Sequence, residues 1–337
     1  MNDTNPASSP DRPASSPGPA PAPGPAAPPP PAAPPPVPRS VPPGPAQGAP
    51  AVPGPGAAAA EGAPGAPAPP GSPAPGAPVG APAPGSPVAD GPPLVRIYGE
   101  GGVTTLTLDS PHNRNALSAR LVAELHAGLA AAAADPGTRA VVLTHTGTTF
   151  CAGADLREAR PTGPRELIAL LRAVVELPVP VVARITGHVR AGGLGLVGAC
   201  DIAVAGPGAS FALTEVRLGL APAVISLPLL PRLDPRAAAR YYLTGERFDA
   251  AEAVRIGLVT LAGEDVDAAL APVLDGLRRG SPQGLAASKR LVSAGVLRAF
   301  DRDAEDLAEL SARLFGSAEA REGMTAFLER RDPWWTA

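Results

Sequence analysis

Two features of this chain have the residue types and spacing for chemistry. One is the glycine cluster Ala191-Gly192-Gly193-Leu194-Gly195-Leu196. The other is Glu215, which ends the apolar run Phe211-Ala212-Leu213-Thr214. A strand-like run, Val181–Ile185, leads into the glycines, and a small-residue run compatible with a helix follows, up to Ala199-Cys200-Asp201. Glycines at such a junction let backbone N–H groups come close to a ligand. Those groups can bind a phosphate or stabilise an oxygen that becomes negative during a reaction. A tightly packed helix start, with no ligand at all, is the alternative. The spacing is neither GxxxxGK[ST] nor GxGxxG, so the common phosphate motifs do not fit. A second small-residue loop, Cys151-Ala152-Gly153-Ala154-Asp155, also follows a predicted strand. Loops at the C-terminal ends of neighbouring parallel strands face one another. Two N–H groups from separate loops are the makings of an oxyanion hole.

Other residues carry weaker signals. Glu215 is a general base if it borders a partly buried site, and an ordinary solvated acid if it does not. Asp155 and Glu158 open a predicted helix, where acids favour the positive end of the helix dipole. Asp201 precedes a strand and suits turn hydrogen bonding. Cys151 lacks a His or Asn at a partner spacing and reads as a small apolar residue rather than a nucleophile. His188 and Arg190 flank the glycines, placed either on the surface or against an acidic group of a substrate.

These residues need elements to hold them. Residues 94–98 and 103–108 read as a hairpin around Gly101-Gly102. Ser118 is the expected N-cap of a helix whose apolar face is Leu121, Val122, Leu125 and Leu129. That helix ends at Asp135-Pro136-Gly137. Residues 140–143 form a short buried strand, and 166–177 an amphipathic helix stopped by Pro178 and Pro180. Strands follow at 181–185 and 202–205. Alternation of this kind predicts an α/β domain with a largely parallel sheet. After about residue 222 the pattern is helical, over 237–243, 250–256, 266–277, 285–294, 304–314 and 318–329.

Composition divides the chain. Residues 1–93 are Pro, Ala, Gly and Ser with few charges and hold most of the 48 prolines. Such a segment buries too little apolar surface to offset its ordering entropy, and is expected to be a disordered arm. Residues 94–337 suit one large domain. The formal net charge is −3, with no basic stripe, which argues against nucleic acid as a partner. Two distant cysteines make no disulfide framework, and the four histidines show no metal-ligand spacing. No basic-then-apolar leader and no run near the roughly 20 apolar residues of a bilayer span is present. The expectation is a cytoplasmic protein with no membrane association and reduced thiols.

An ordered set of motifs runs along the domain: Arg114-Asn115-Ala116-Leu117-Ser118, Phe150-Cys151-Ala152-Gly153-Ala154-Asp155-Leu156 and Gly192-Gly193 with Ala199-Cys200-Asp201. Leu213-Thr214-Glu215-Val216-Arg217-Leu218-Gly219-Leu220, Leu243-Thr244-Gly245-Glu246, Ala287-Ser288-Lys289-Arg290 and 322–329 complete it. Taken together, this set resembles the enoyl-CoA hydratase/isomerase (crotonase) family. The resemblance covers 94–334 and none of the arm. It implies a crotonase-like spiral of ββα units with a C-terminal helical region, and a homotrimer or dimer of trimers. It also implies an acyl-CoA substrate, whose coenzyme A is part of the substrate, so no separate cofactor is expected. Ala154 and Gly192 fall on the oxyanion N–H positions and Glu215 on the second of two catalytic glutamates. Arg114, Ala116 and Ala152 fall where the family binds CoA. Phe327 and Arg330 fall in the segment that closes over CoA, in many members from a neighbouring subunit. Asp155, Leu156, Arg190, Gly195 and Arg217 are expected along the acyl group. Gly195 stands where the family has its first glutamate. That departure, with the surrounding pattern, resembles the bacterial methylglutaconyl-CoA hydratase-type branch, whose substrates carry a distal carboxylate; Arg190 or Arg217 is a candidate to receive it. The implied activity is enoyl-CoA hydration in fatty acid or branched amino acid catabolism. Double-bond isomerisation, thioester hydrolysis and non-catalytic acyl-CoA binding are the alternatives.

Overall fold

The computed structural model describes residues 91–158 and 162–336; the expected arm, residues 1–93, lies outside them apart from 91–93. Strands β1 (Val95–Glu100) and β2 (Val103–Leu108) pair antiparallel. Gly101 and Gly102 turn the chain between them with φ of 55° and 78°, the left-handed pair that a two-residue hairpin turn requires. Then come β3 (Ala140–His145), β4 (Thr149–Cys151), β5 (Val181–Ile185), β6 (His188–Arg190), β7 (Ile202–Ala205), β8 (Ser210–Ala212), β9 (Phe248–Asp249) and β10 (Leu261–Ala262). They make two sheets. The six-stranded sheet has the order β1-β2-β3-β5-β7-β10 and is parallel from β2 onward. The smaller sheet has the order β4-β6-β8-β9, and only β9 is antiparallel in it.

The helices are α1 (Ala119–Ala134), α2 (Pro164–Glu176), α3 (Gly192–Ala199), α4 (Ser226–Leu229), α5 (Pro235–Thr244), α6 (Ala250–Arg255), α7 (Val266–Arg279), α8 (Pro282–Phe315) and α9 (Ala318–Glu329). The first units run β1β2α1, β3β4α2 and β5β6α3. From β3 to β8, each strand pair places its first strand in the large sheet and its second in the small one. This stepping lays β4, β6 and β8 side by side and parallel, so the segments that leave them emerge at one edge. Those segments are Ala152–Asp155, Ala191–Gly192 and Leu213–Glu215.

Packing follows the sequence pattern. Ser118 caps α1, its Oγ accepting from Leu121 N–H at 3.2 Å, and Leu121, Val122, Leu125 and Leu129 are buried as expected. They join Leu106, Leu143, Phe150, Leu170, Leu171 and Ile185 in one core. Every residue of α3 is buried. A helix apolar all round must be surrounded, and its small residues permit this: a Cβ on Gly193 would strike Cys151 at 2.8 Å, and one on Gly198 would strike Leu229 at 2.7 Å.

Three expectations change. No helix opens at Asp155; its carboxylate instead accepts from Arg157 N–H at 3.1 Å and Asn113 Nδ2–H at 3.0 Å, making a turn. Glu158 does cap a helix, but that helix is α1, through Ala119 N–H at 3.0 Å. The helices expected at 285–294 and 304–314 are one continuous α8, because Val296, Ala299 and Phe300 carry the buried face straight through. Asp201 reaches further than a turn. It accepts from Val181 N–H at 2.8 Å and pairs with buried Lys289 at 2.8 Å. Among the described residues, no helix is long and apolar enough to cross a membrane.

Candidate active site

A cavity of about 850 Å³ lies at the shared edge of β4, β6 and β8. Four segments of its wall carry the groups suited to chemistry.

The first segment is Arg114–Ala116. Arg114 and Asn115 are consecutive left-handed residues, with φ of 60° and 53°. Asn115 is fully buried and fixes this bend. Its amide donates to Thr146 O at 3.1 Å and Thr149 O at 2.8 Å, and its carbonyl accepts from Ser110 N–H at 2.7 Å. The second segment is the loop after β4. Ala152 N–H donates to Arg114 O at 3.1 Å, and Leu117 N–H donates to Gly153 O at 2.7 Å, which ties the two segments together and sets Ala154 in the wall.

The third segment is the turn from β6 into α3. Ala191 adopts φ 45° and ψ −121°, a conformation that costs a non-glycine residue about 1–3 kcal/mol. That turn begins α3 at Gly192, whose N–H, as the first of the helix, has no partner within it. A Cβ on Gly192 would lie 2.9 Å from Leu117 Cδ1 and 3.9 Å from Ala154 N. With standard covalent geometry, the Gly192 and Ala154 nitrogens are therefore no more than about 6.4 Å apart. Both residues line the cavity, so two backbone nitrogens no more than about 6.4 Å apart border the same space.

Glu215 heads the fourth segment, a single 3-10 turn, Glu215–Leu218, capped by Gly219. Helix α9 packs on this turn so closely that a Cβ on Gly323 would meet the Leu218 backbone at 2.5 Å. The Glu215 side chain is buried at the cavity wall, and its Oε2 has no hydrogen-bond partner among the described residues. Burial pushes its carboxyl up to about 7, against a weaker opposing hydrogen bond from its own N–H. A carboxylate poised near neutrality suits general-base work.

The charge around it is mostly positive. Arg114, Arg157, Arg190, Arg217 and Arg247 line the cavity, and Asp155 and Glu215 are its acids. This set suits an anionic ligand. Leu156, Ala116 and Ala152 also lie in the wall, as does Phe327 from α9 of the same chain.

Two expected residues stand outside the wall. Gly195 is buried one helical turn below Gly192, and Ile225 fills the space beside it: a Cβ there would lie 2.6 Å from Ile225 Cγ2. Ile225, not Gly195, faces the cavity. Arg330 ends α9 in a left-handed conformation, φ 58°, and is exposed beyond the lining. Cys151 and Cys200 are buried thiols pushed up to about 12 by burial, so neither is a nucleophile. Arg247 and Ile225 were not expected at the site. Arg247 had no local signal, because its place follows from the pairing of β9 with β8.

Comparison with known proteins agrees with this architecture. Residues 99–337 match the enoyl-CoA hydratase/isomerase family model. The crystal structure of an enoyl-CoA hydratase from Mycobacterium avium is 63% identical, with a TM-score of 0.68, covering 72% of this chain and 98% of that one. A Rhodobacter capsulatus protein named "Probable enoyl-CoA hydratase" is 35% identical over 249 residues, 70% of this chain and 95% of the relative. The mevalonyl-coenzyme A hydratase of Aspergillus fumigatus is 32% identical over 246 residues, 69% of this chain and 91% of the relative. With its strand pairs stepping between two sheets, its helical C-terminal region and these matches, the chain belongs to the enoyl-CoA hydratase/isomerase (crotonase) family of enzymes.

Proposed function

We propose that this protein adds water reversibly to a 2-enoyl-CoA, using Glu215 as its catalytic carboxylate. The observation that carries the reading is Glu215 itself. It is buried, unpaired at Oε2 and held near neutrality beside two strand-end loops. The names of the relatives support the same reaction. In this scheme the thioester oxygen accepts hydrogen bonds from the Ala154 and Gly192 N–H groups. Glu215 takes a proton from water as the oxygen bonds to Cβ, and the electron pair of the double bond moves to the thioester oxygen. The enolate then collapses, and the same carboxyl returns its proton to Cα. Arg114, Ala116, Ala152 and Phe327 hold the coenzyme portion. With Ile225 packed against Gly195, the other carboxylate of a two-glutamate hydratase, its first, has no room beside Glu215. A branched or carboxylated acyl group, such as methylglutaconyl-CoA, is the proposed substrate class.

The test is mass-resolved turnover of a panel of enoyl-CoA thioesters. Gain of one water is the expected result. Double-bond migration at constant mass would make the protein an isomerase. Release of free CoA would make it a hydrolase, and binding without conversion would leave only an acyl-CoA-binding role.

A further inference from the structure

The small sheet carries a feature that the reaction above does not use. Its register aligns His188, Ser210 and Asp249 in one row, and Val189, Phe211 and Phe248 in the next. The second row faces the core, where the Phe211 and Phe248 rings stack at 5.6 Å. The following row pairs Arg190 with Ala212, and continuing the β8–β9 register by one residue brings Arg247 to the other side of Ala212. Side chains alternate faces along a strand, so Arg190 and Arg247 share the face opposite the core. The small Ala212 between them leaves room for both. Both arginines line the cavity that holds Gly192 and Glu215. Arg190 is two residues before Gly192, and Ala212 is three before Glu215.

Arg190 is half-buried and rigidly held, but only by neutral oxygens. It donates to Val189 O at 2.8 Å, Ser210 O at 2.6 Å and Ser210 Oγ at 2.9 Å. Ser210 Oγ also lies 2.9 Å from His188 Nδ1. A guanidinium has five N–H donors, so Arg190 keeps two for a ligand. The acids near Arg247 are engaged elsewhere. Glu246 pairs with Arg240, Asp249 caps α6 through Glu252 N–H, and Glu252 binds Arg255 and the Tyr241 hydroxyl. Among the described residues, no carboxylate pairs with Arg190 or Arg247. Two cations facing each other across one alanine repel, and an anion between them relieves that repulsion. Arg217 is a weaker candidate, since its Nε–H and Nη2–H both already donate to Thr244 O.

We infer that Arg190 and Arg247 form an anion-binding subsite for a carboxylate at the far end of the acyl chain, and so select acidic acyl-CoA substrates. The inference rests on the acyl-CoA reading and adds the residues that set acyl specificity. Binding and turnover are measured separately, so that failure of one does not obscure the other. Glutaryl-CoA and butyryl-CoA are unreactive and differ at the end of the acyl chain. The full chain is expected to bind glutaryl-CoA about 10- to 100-fold more tightly by calorimetry, the range of a charge-assisted pair. Arg247→Gln should remove most of that ratio, and Arg190→Lys, which keeps charge but loses the fork, should remove part of it. For turnover, the ratio of kcat/KM for glutaconyl-CoA over crotonyl-CoA should fall in the same variants. A wild-type binding ratio near one overturns the inference. So does an equal loss for both thioesters in Arg247→Gln, which would assign the arginines to the phosphates of CoA. If Arg247→Gln does not fold, the Arg190→Lys ratio decides alone. Absence of hydration alongside a preserved binding ratio would sink the proposed reaction and leave the subsite standing.

Discussion

Two carboxylates in this molecule are equally hidden and lead opposite lives. Asp201 sits at the start of β7 against Lys289, with 9% and 3% of the two side chains exposed. Lys289 is anchored further by donating to Val174 O at 2.8 Å and Val179 O at 3.1 Å. Among the described residues, Glu215 has neither a paired cation nor a hydrogen bond to Oε2. Burying an isolated charge is expensive, and a protein avoids the expense by pairing the group or leaving it protonated. Asp201 is paired, and its pair ties β7 and the end of α2 to α8. Glu215 is left with its proton half-held, at about 7. The paired acid is architecture, and the unpaired acid is available for proton transfer.

Replacing Glu215 tests the sharper side of that contrast. Glu215→Gln keeps the shape and removes the base, so turnover should fall by roughly 100- to 10,000-fold, read by initial rates on the best thioester of the panel. CoA binding and the far-ultraviolet spectrum should be retained. Near-full activity in this variant would sink the assignment of the base.

Lys289→Met tests the other side. Removing one member of a buried pair leaves an uncompensated charge and typically costs about 3–5 kcal/mol. Asp201 would then hold an unpaired charge, with Oδ1 already unpartnered. Denaturant melts should show the loss, while kcat of the molecules that remain folded should change little. A kinetic effect as large as that of Glu215→Gln would erase the distinction between the two acids.

The pH dependence gives a third measure, whose sign is fixed by the raised value of Glu215. In the unfolded chain this carboxyl titrates near its ordinary 4.5, and in the folded protein near 7. Below 4.5 it is neutral in both states and costs nothing. Between 4.5 and 7 the unfolded chain releases this proton while the folded protein keeps it, so roughly 3 kcal/mol of stability is lost across that interval, and above 7, where both states are ionised, the loss stays constant. Glu215→Gln should therefore be the more stable protein above neutrality, with the gap closing toward acid. The wild-type kcat/KM should rise about tenfold per pH unit below 7 and level off above it, because the ionised form is the base. A rate that falls as pH rises through 7 would mean that the protonated carboxyl is the working form.

Much of this layout was legible in the residues. The long, periodic elements declare themselves: the Gly101-Gly102 hairpin, the Ser118 cap, the buried strand at 181–185 and the α9 span all stand where pattern and turn chemistry put them. The small sheet was not legible. Its strands are two or three residues long, too short for any period, and they exist because the neighbouring ββα units set them side by side. The two helical spans expected at 285–294 and 304–314 leave a gap, yet Asp301, Arg302 and Asp303 within it occupy one exposed or half-buried turn of an unbroken helix. Residues expected on the loops after β4 and β6 line the cavity, whereas Arg247 and Ile225, placed there by tertiary packing, were not expected. Ile225 arrives from the segment before α4 to fill the space over Gly195, and no local signal announces that.

That filling leads to the smallest expected effect. A gap beside Gly195 would allow a second carboxylate to be restored by one substitution. Ile225 closes it: a Cβ on residue 195 would lie 2.6 Å from Ile225 Cγ2, 3.1 Å from Ile225 Cβ and 3.2 Å from Leu171 Cδ1. The first contact is a methyl group, but the second is the branch point of a stiff side chain, which has little freedom to turn away. Gly195→Ala alone should thus cost about 1–3 kcal/mol by overpacking, and Gly195→Glu at least as much, with no gain in turnover. Adding Ile225→Ala opens the space above residue 195 at the cavity wall. In the double variant, Gly195→Glu with Ile225→Ala, part of the stability should return, and hydration of crotonyl-CoA should rise relative to the Ile225→Ala single variant. Thermal melts and initial rates on the four proteins of this cycle give the coupling directly. A stable, active Gly195→Glu single variant would show that Ile225 yields easily, and that the lone carboxylate is a matter of residue choice rather than of packing.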